Sequence, residues 1–451
     1  MDLHTQDARP HPDKYLYGPR QAWFAFAMTI GLMVFDYIDR QVIVSMFPHM
    51  KLAWGLSDKQ LGSLVSVVSI TVALGALPVA LIADRTSRVR SIVVMATAWS
   101  LASISCMFTR NFGQLFAARA VVGLGEAGYG SVGGALIASH FPSRLRGMLM
   151  AGFFACASVG SVLGVMLGGV IAARWGWQAA FGVVGIPGLV LALLYLTVRD
   201  YRTVALTPRL DAATRSTGTA ARAIARGLLR SRTMLWICIG GSMQLIVVST
   251  VWSWLPSFLN RVHGMAADQA GVKAALVVLC GAVGSVVWGA VVDRAGARRP
   301  RAKLMLMALL CLSSLIVLAT AFGEAQLQLG LSRQSQFALI AFGGFLMTCT
   351  VGPVAAVAID VIHPGVRATG ASVLALCQNL FGLAAGPFIT GVLSDHWGLE
   401  TALTAMPTFA VVAAVAFMAA SRSYEADAKR AGEPLGDGGP VFPPAPRKAL
   451  A

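Results

Sequence analysis

Charged residues are scarce in this sequence. They make up 12% of the 451 residues, where soluble domains average about a quarter. Hydrophobic residues make up 56%, and the mean hydropathy is +0.70. Because a soluble fold has too little interior to bury so many apolar side chains, this composition argues against a soluble protein and predicts a membrane protein.

The sequence also lacks the motifs of nucleotide-driven and hydrolytic chemistry. It contains no GxxxxGK[ST] loop, no HExxH and no GxSxG. None of its seven cysteines forms a CxxC pair, so we expect them to pack as small apolar residues without a metal or disulfide role. An ATP-driven pump has no support, and a membrane enzyme or receptor is a weak alternative. We expect no enzymatic activity and no cofactor.

Long apolar runs are present instead, each able to cross a hydrocarbon core of about 30 Å. There are twelve, at about 22–47, 60–83, 91–109, 113–139, 147–172, 178–198, 234–258, 270–292, 303–322, 336–361, 368–392 and 398–420. A helix satisfies its own backbone hydrogen bonds in lipid, so the runs predict an all-α integral membrane protein of twelve transmembrane helices.

The basic residues predict the orientation. Alternate connections and the two ends of the chain hold 27 Lys and Arg residues, and the opposite connections hold 7. The positive-inside rule places the richer side in the cytoplasm, so both termini are predicted to be cytoplasmic and the protein to be a multi-pass protein of the cell (inner) membrane. This arrangement also accounts for the net charge of +16 without nucleic-acid binding.

The longest polar stretch divides the chain into two halves. The predicted organisation is a cytoplasmic segment at 1–20, a six-helix bundle at 21–198, a cytoplasmic linker at 199–233, a second six-helix bundle at 234–420 and a disordered tail at 421–451. The halves repeat each other, because ALIADRTSRVR (80–90) and GAVVDRAGARR (289–299) follow the second helix of each half. Such pseudo-symmetric repeats are typical of transporters whose site lies between the bundles.

These loops resemble the Gly-x-x-x-Asp-Arg-x-Gly-x-Arg-Arg signature of the major facilitator superfamily; the first copy has Ala80 and Ser87 where glycines are usual. DYIDRQ, RAVVGLGEAGYGS and HPGVRATGAS look like its spinster-like and anion:cation symporter branches. The resemblance covers about residues 20–420, and implies the major facilitator fold, a monomer, and transport by alternating access. ASVGSVLGVMLGG resembles a Gly-rich antiporter motif without its usual Gly-Pro, so it does not indicate the direction of coupling.

Each repeated loop places an acid beside bases at a helix end, where a carboxylate can pair with a base in one conformation and release it in another. We therefore expect a cytoplasmic gate built from both copies. Its predicted members are Asp84, Arg85, Arg88, Asp293, Arg294 and Arg298. The alternative is a solvated cluster of charges.

Charges inside the apolar runs are the main functional signal, because burying a charge costs several kcal/mol, or about 3 on insertion scales. Helix 1 carries Asp36, Asp39 and Arg40 on one stripe, and helix 4 carries Arg119 and Glu126 seven residues apart on one face. If these faces meet, Asp39 pairs with Arg119, and Arg40 with Glu126 or a substrate anion. The alternative is a salt-bridge network with only a structural role.

The resemblance implies that Asp39 and Glu126 titrate during proton coupling and that Arg40 and Arg119 are their basic partners. Burial of a carboxylate favours its protonated form and a nearby arginine opposes this, so movement of substrate can move the proton. The expected substrate contacts are Asp36, Tyr37, Tyr129, Gln378 and Asn379.

The substrate class stays open from sequence alone. Arg40 and Arg119 favour a small organic anion, whereas the nearly uncharged second half is compatible with a lysolipid or another amphiphile. A passive facilitator is a further alternative, in which the buried acids are not needed for uptake.

Overall fold

The computed structural model describes residues 15–200, 231–362 and 367–431, and in these ranges the chain forms helices joined by short connections. Twelve stretches of helix are long and apolar enough to cross a membrane. The predicted all-α membrane fold with twelve helices is therefore confirmed.

We number the stretches as spans 1 to 12 in chain order. The first half contains span 1 (Pro19–Val42 and Phe47–Trp54), span 2 (Asp58–Arg85), span 3 (Arg88–Cys106), span 4 (Phe112–Glu126 and Tyr129–His140), span 5 (Ser143–Trp175) and span 6 (Trp177–Tyr195). The second half contains span 7 (Arg232–Arg261), span 8 (Ala267–Arg298), span 9 (Pro300–Phe322), span 10 (Arg333–Met347 and Val351–Val361), span 11 (Arg367–Gln378 and Ala385–Trp397) and span 12 (Leu399–Ala405 and Phe409–Ala431). Shorter helical turns are Ile43–Met46, Glu324–Leu327, Asn379–Leu383 and Met406–Thr408.

Residues 201–230 of the predicted linker and 432–451 of the predicted tail lie outside the described residues. Span 12 continues as helix to Ala431, past the predicted boundary at position 420. The extension is tied to the start of span 7, where the carboxylate of Asp427 accepts hydrogen bonds from the Thr233 backbone N–H (2.8 Å) and the Ser231 hydroxyl (3.2 Å).

The two halves repeat the same packing. Span 1 lies along span 5, and spans 2 and 3 pack on span 4; in the second half span 7 lies along span 11, and spans 8 and 9 pack on span 10. The span 1–span 5 contact depends on a glycine every fourth residue. A Cβ at Gly160 would lie 2.5 Å from the Val34 carbonyl oxygen, and one at Gly164 would lie 2.7 Å from that of Ile38. These small residues let the two backbones touch.

The halves contact each other through spans 2 and 11 and through spans 5 and 8. Among the described residues, the hydrogen bonds between halves join positions 58–66 to positions 261 and 384–395. These positions lie at the end of the molecule that carries the connections 55–57 and 262–266 and Gly398, which we name the closed end. The opposite end carries the repeated loops together with Tyr15 and Ala431, where the described residues begin and end, and we name it the termini end.

Candidate functional site

The charged cluster of the first half is held between spans 1, 3 and 4. Span 1 is regular helix through Asp36, Asp39 and Arg40, so these side chains share one stripe. In span 4, Gly123 and Gly125 allow a close approach to neighbouring backbones. A Cβ at Gly123 would lie 2.6 Å from the Val68 carbonyl oxygen, and one at Gly125 would lie 2.7 Å from the Trp99 backbone nitrogen.

Span 4 breaks directly after Glu126. The first helix ends at this residue, and Gly128 has a φ of +83°, a backbone conformation that favours glycine. Glu126 is therefore the last helical residue before a break inside an apolar span. The sequence pattern did not predict this break; the only signal was the glycine density of GLGEAGYG.

The first of two ion pairs joins Asp39 to Arg119. The Arg119 Nη1 atom lies 3.2 Å from the Asp39 Oδ2 atom and 3.4 Å from the Asp39 carbonyl oxygen. The Ser103 hydroxyl, from span 3, donates to the other carboxylate oxygen, Oδ1. Asp39 is 1% exposed and Arg119 is 0% exposed. Both oxygens of this carboxylate thus have partners in a dry environment.

The second group places one guanidinium between two carboxylates. The Arg40 Nε atom lies 3.0 Å from Glu126 Oε2 and 3.4 Å from Asp36 Oδ2. The Arg40 side chain is 18% exposed, whereas the side chains of Asp36 and Glu126 are 4% and 0% exposed. Its guanidinium carbon lies 5.4 Å from the centre of the Tyr37 ring.

The carboxylates around Arg40 lack the full set of partners that Asp39 has. Among the described residues, Asp36 Oδ1 and both oxygens of Glu126 have no hydrogen-bond donor. The 3.0 Å contact between Arg40 and Glu126 is therefore an ion pair whose N–H direction does not make a hydrogen bond. A buried oxygen without a donor is costly, so the carboxylates around Arg40 are less well stabilised than the carboxylate of Asp39.

The predicted substrate contacts lie in different settings. Tyr37 is half-buried beside Arg40, whereas Tyr129 is 1% exposed and donates to the Thr29 carbonyl oxygen at 2.7 Å. In span 11, Gln378 is half-buried and faces Gly241 of span 7. Asn379 donates to the Ala375 carbonyl oxygen at 2.9 Å and begins the π-helical turn of that span.

The predicted gate is only partly described. The side chains of Asp84, Arg85 and Arg298 lie outside the described part of the structure. Arg88 donates to the Ser139 hydroxyl at 3.3 Å, which links the start of span 3 to the end of span 4. Arg294 is exposed.

The second half shows the corresponding network more fully, and three of its members were not predicted. The Lys303 Nζ atom lies 3.5 Å from Asp293 Oδ1 and 3.5 Å from Asp360 Oδ2, and the Tyr424 hydroxyl donates to Asp360 at 2.7 Å. Lys303, Asp360 and Tyr424 come from spans 9, 10 and 12. Only folding brings them to Asp293, so no spacing in the sequence indicates the contact.

A second charged group, also not predicted, closes the opposite end. Asp58, at the start of span 2, is 2.7 Å from the Lys51 ammonium and 2.7 Å from the Arg261 guanidinium of the second half. The Ser394 hydroxyl donates to the same carboxylate at 2.5 Å. Asp395 accepts from the backbone N–H groups of Asp58 and Lys59 at 2.8 and 2.9 Å. Ion pairs and hydrogen bonds between the two halves therefore meet at the closed end.

Comparisons with known proteins agree with this architecture. The sequence model of the Major Facilitator Superfamily matches residues 29–385. The gallate transporter of Pseudomonas putida is 28% identical over 429 residues, covering 88% of this chain and 91% of that protein. Protein spinster of Drosophila melanogaster is 25% identical over 391 residues, covering 83% of this chain and 62% of that protein.

The fold is also similar to that of a solved structure. A bacterial homologue of the human lysosomal transporter Spinster, in its inward-facing and unoccupied conformation, superimposes with a TM-score of 0.79 at 22% identity. The match covers 91% of this chain and 99% of the other.

Proposed function

The chain belongs to the Major Facilitator Superfamily, and we propose that it is a secondary active transporter that moves a small organic anion together with a proton. Its family and relatives make it a multi-pass membrane transporter and not an enzyme. The anion, the proton coupling and the alternating access are the proposal.

One observation carries the proposal: Arg40 is the accessible cation of the cluster, and its carboxylate partners are incompletely satisfied. An arginine binds a carboxylate through a planar fork of N–H donors. An incoming anion can therefore compete with Glu126 for Arg40, because the existing contact lacks hydrogen-bond geometry. Arg119 is not available in this way, since it is fully buried on Asp39.

Coupling follows from the exchange of partners. When the anion takes Arg40, the Glu126 carboxylate loses its counter-charge inside a low-dielectric span, and protonation removes the cost of that lone charge. When the proton leaves, Glu126 competes again for Arg40 and favours release of the anion. Asp39 and Glu126 are the predicted proton carriers; the contacts favour Glu126, because both oxygens of Asp39 already have donors.

The substrate class rests on Arg40 and on the relatives. A guanidinium site suits a carboxylate, and the gallate transporter carries an organic acid by its name. The alternative is an amphiphile, with its head group at Arg40 and its tail along the second half. Similarity to Protein spinster and the scarcity of buried charge in spans 7 to 12 favour this alternative. A facilitator without proton coupling is the remaining alternative.

The orientation is also proposed. The excess of Lys and Arg at the termini end favours a cytoplasmic position for this end in the inner membrane. With the halves joined at the closed end, the described conformation would then be inward-facing. Alternation would open the closed end by separating Asp58 from Arg261 and close the termini end through the gate residues. We expect a monomer.

The test is substrate-driven proton flux in proteoliposomes that contain a pH-sensitive dye. Gallate and a lysophospholipid are offered separately to the wild type, Asp39→Asn, Glu126→Gln and Asp427→Asn. The last variant is the matched control, since it neutralises a buried carboxylate distant from the site. We expect gallate to drive proton uptake that Glu126→Gln abolishes and Asp427→Asn retains. Transport without proton flux, or coupling that survives in both site variants, would refute the proposal.

A further inference from the structure

The three acids of the cluster divide into two kinds by their contacts. Asp39 receives a hydrogen bond at each oxygen, from Ser103 and from Arg119. Asp36 and Glu126 share Arg40 and leave three oxygens without a donor among the described residues. Hydrogen-bond donors stabilise the charged form of a carboxylate. The contacts therefore favour the ionised form of Asp39, whereas Asp36 and Glu126 lack this stabilisation and can gain from binding a proton.

The charges on the two sides of the cluster also differ. Asp39 and Arg119 balance each other, so that side is neutral when Asp39 is ionised. Around Arg40 there are two carboxylates and one guanidinium, which leaves one negative charge in excess when both acids are ionised. Asp36 is 3% exposed and Glu126 is 2% exposed, so water does little to stabilise that excess charge.

No other described group offers to neutralise it. The titratable neighbours of the Arg40 group are Asp39, Arg119, Tyr37 and Tyr129, with Cys106 beside the Asp39 pair. Spans 2 and 5 add no charge at this depth, because positions 60–83 of span 2 and positions 147–173 of span 5 hold no acidic, basic or histidine side chain. A proton from water can balance the excess charge.

We propose that Asp36 and Glu126 share one proton around Arg40, while Asp39 stays ionised as a positioning residue for Arg119. The proposal rests on the proposed proton-coupled transport and assigns its proton to a different pair of residues from the one expected by resemblance, Asp39 and Glu126. The proton comes from water on the open side and adds to a carboxylate oxygen of Asp36 or Glu126, with no other bond broken.

The shared proton sets a stoichiometry. The empty site is neutral with one proton, since two carboxylates, one guanidinium and one proton sum to zero. A bound monovalent anion adds one negative charge, which a second proton balances at the other acid. Each monovalent anion thus crosses with one proton, and both the empty and the loaded site are neutral in the membrane.

The proton can be detected without substrate. Infrared difference spectra of the purified full-length chain in lipid, recorded between about pH 5 and about pH 9, show a C=O stretching band for a protonated carboxyl that a carboxylate lacks. We expect a band from a buried carboxyl in the wild type and its loss in Asp36→Asn and in Glu126→Gln. In either variant one carboxylate remains beside Arg40, and this carboxylate balances the guanidinium without a proton.

Two variants serve as controls. Ser103→Ala removes a hydrogen bond to Asp39 and keeps every charge, so it leaves the band in place. Asp427→Asn neutralises a buried carboxylate outside the cluster and leaves the band in place as well. A band that is absent from the wild type, survives both site substitutions, or shifts in Ser103→Ala would overturn the assignment.

The spectra and the proteoliposome assay test the two proposals independently. If the band behaves as expected but transport moves no protons, the proton site stands and the proposed coupling fails. If coupled transport occurs while the band ignores Asp36→Asn, only the assignment of the proton to the Asp36–Glu126 pair fails.

Discussion

The carboxylate of Asp395 caps the helix that begins at Asp58, across the interface between the two halves. Its two oxygens accept hydrogen bonds of 2.8 and 2.9 Å from the backbone N–H groups of Asp58 and Lys59. The first N–H groups of a helix have no partner within the helix, and they attract negative charge. Span 2 thus has its N-terminus completed by span 11 only while the closed end is closed.

Removal of this cap favours opening of the closed end. We expect Asp395→Ala to raise the population open at that end about tenfold, or about 1.4 kcal/mol, because two charge-assisted hydrogen bonds at an exposed site are lost. Hydrogen exchange of the segments around residues 55–64 and 384–395, followed by mass spectrometry, measures the change.

Glu324→Ala is the control for this substitution, since Glu324 lies in the first turn of a short helix in the connection between spans 9 and 10. We expect it to leave exchange at residues 55–64 unchanged. Equal exchange in Asp395→Ala and the wild type would mean that apolar contacts such as Phe47 with Trp254 hold the closed end without the cap.

We expect neutralisation of Arg119 and neutralisation of Arg40 to have different effects on stability and on anion binding. Arg119→Gln leaves Asp39 buried and without its cation, which costs about 3–5 kcal/mol. We expect a marked fall in the melting temperature of the purified protein. Arg40→Gln also leaves Asp36 and Glu126 without a cation, but under the proposal these carboxylates can bind protons, so we expect a smaller fall in the melting temperature together with a loss of anion binding. Thermal unfolding with a thiol-independent fluorescence readout separates the two. Equal destabilisation by both variants would contradict the division of roles.

The glycines of span 5 provide a matched test of packing. We expect Gly164→Ala to destabilise the fold and reduce transport, since a Cβ there would lie 2.7 Å from the Ile38 carbonyl oxygen and 2.9 Å from the Gln41 Cβ atom. Gly152 lies in the same helix with nothing within 4 Å of a Cβ. Gly152→Ala should be neutral, or stabilising by up to about 1 kcal/mol. The melting temperatures of Gly164→Ala and Gly152→Ala test this expectation. Similar values would show that contact with the span 1 backbone does not require glycine at position 164.

The sequence predicted those parts of the fold that depend on local patterns. Apolar runs of membrane length predicted twelve helices, and the helical spacing of Asp36 with Asp39 and with Arg40 predicted which face carries the charges. The same spacing led to the expected pairs, Asp39 with Arg119 and Arg40 with Glu126, and the structure contains both contacts.

The parts that the sequence could not predict depend on approach between distant segments. Asp58 is a helix-start residue in the sequence, and its role at the closed end appears only when Arg261 and Ser394 reach it from the second half. Lys303 and Asp360 are likewise joined only by packing of spans 9 and 10. The difference between Asp39 and Asp36 needed the position of Ser103, a small residue without any distinctive pattern around it.

The charge balance around Arg40 predicts that uptake of a monovalent anion does not respond to membrane potential. If each anion crosses with one proton and the returning site keeps one, neither half of the cycle moves net charge through the membrane. A potassium diffusion potential of about 100 mV should then change the uptake of a monoanionic probe such as gallate into proteoliposomes by less than about twofold. The same potential would supply about 2.3 kcal/mol for each uncompensated charge that crosses the membrane. A pH gradient that is acidic outside the vesicles should still drive accumulation, and a gradient of the opposite sign should oppose it. In the double variant Asp36→Asn/Glu126→Gln no carboxylate remains beside Arg40 to hold a proton, so the empty site carries one positive charge and uptake should become sensitive to the potential. Potential-driven uptake by the wild type would show that the pair carries a different number of protons from the one its contacts indicate.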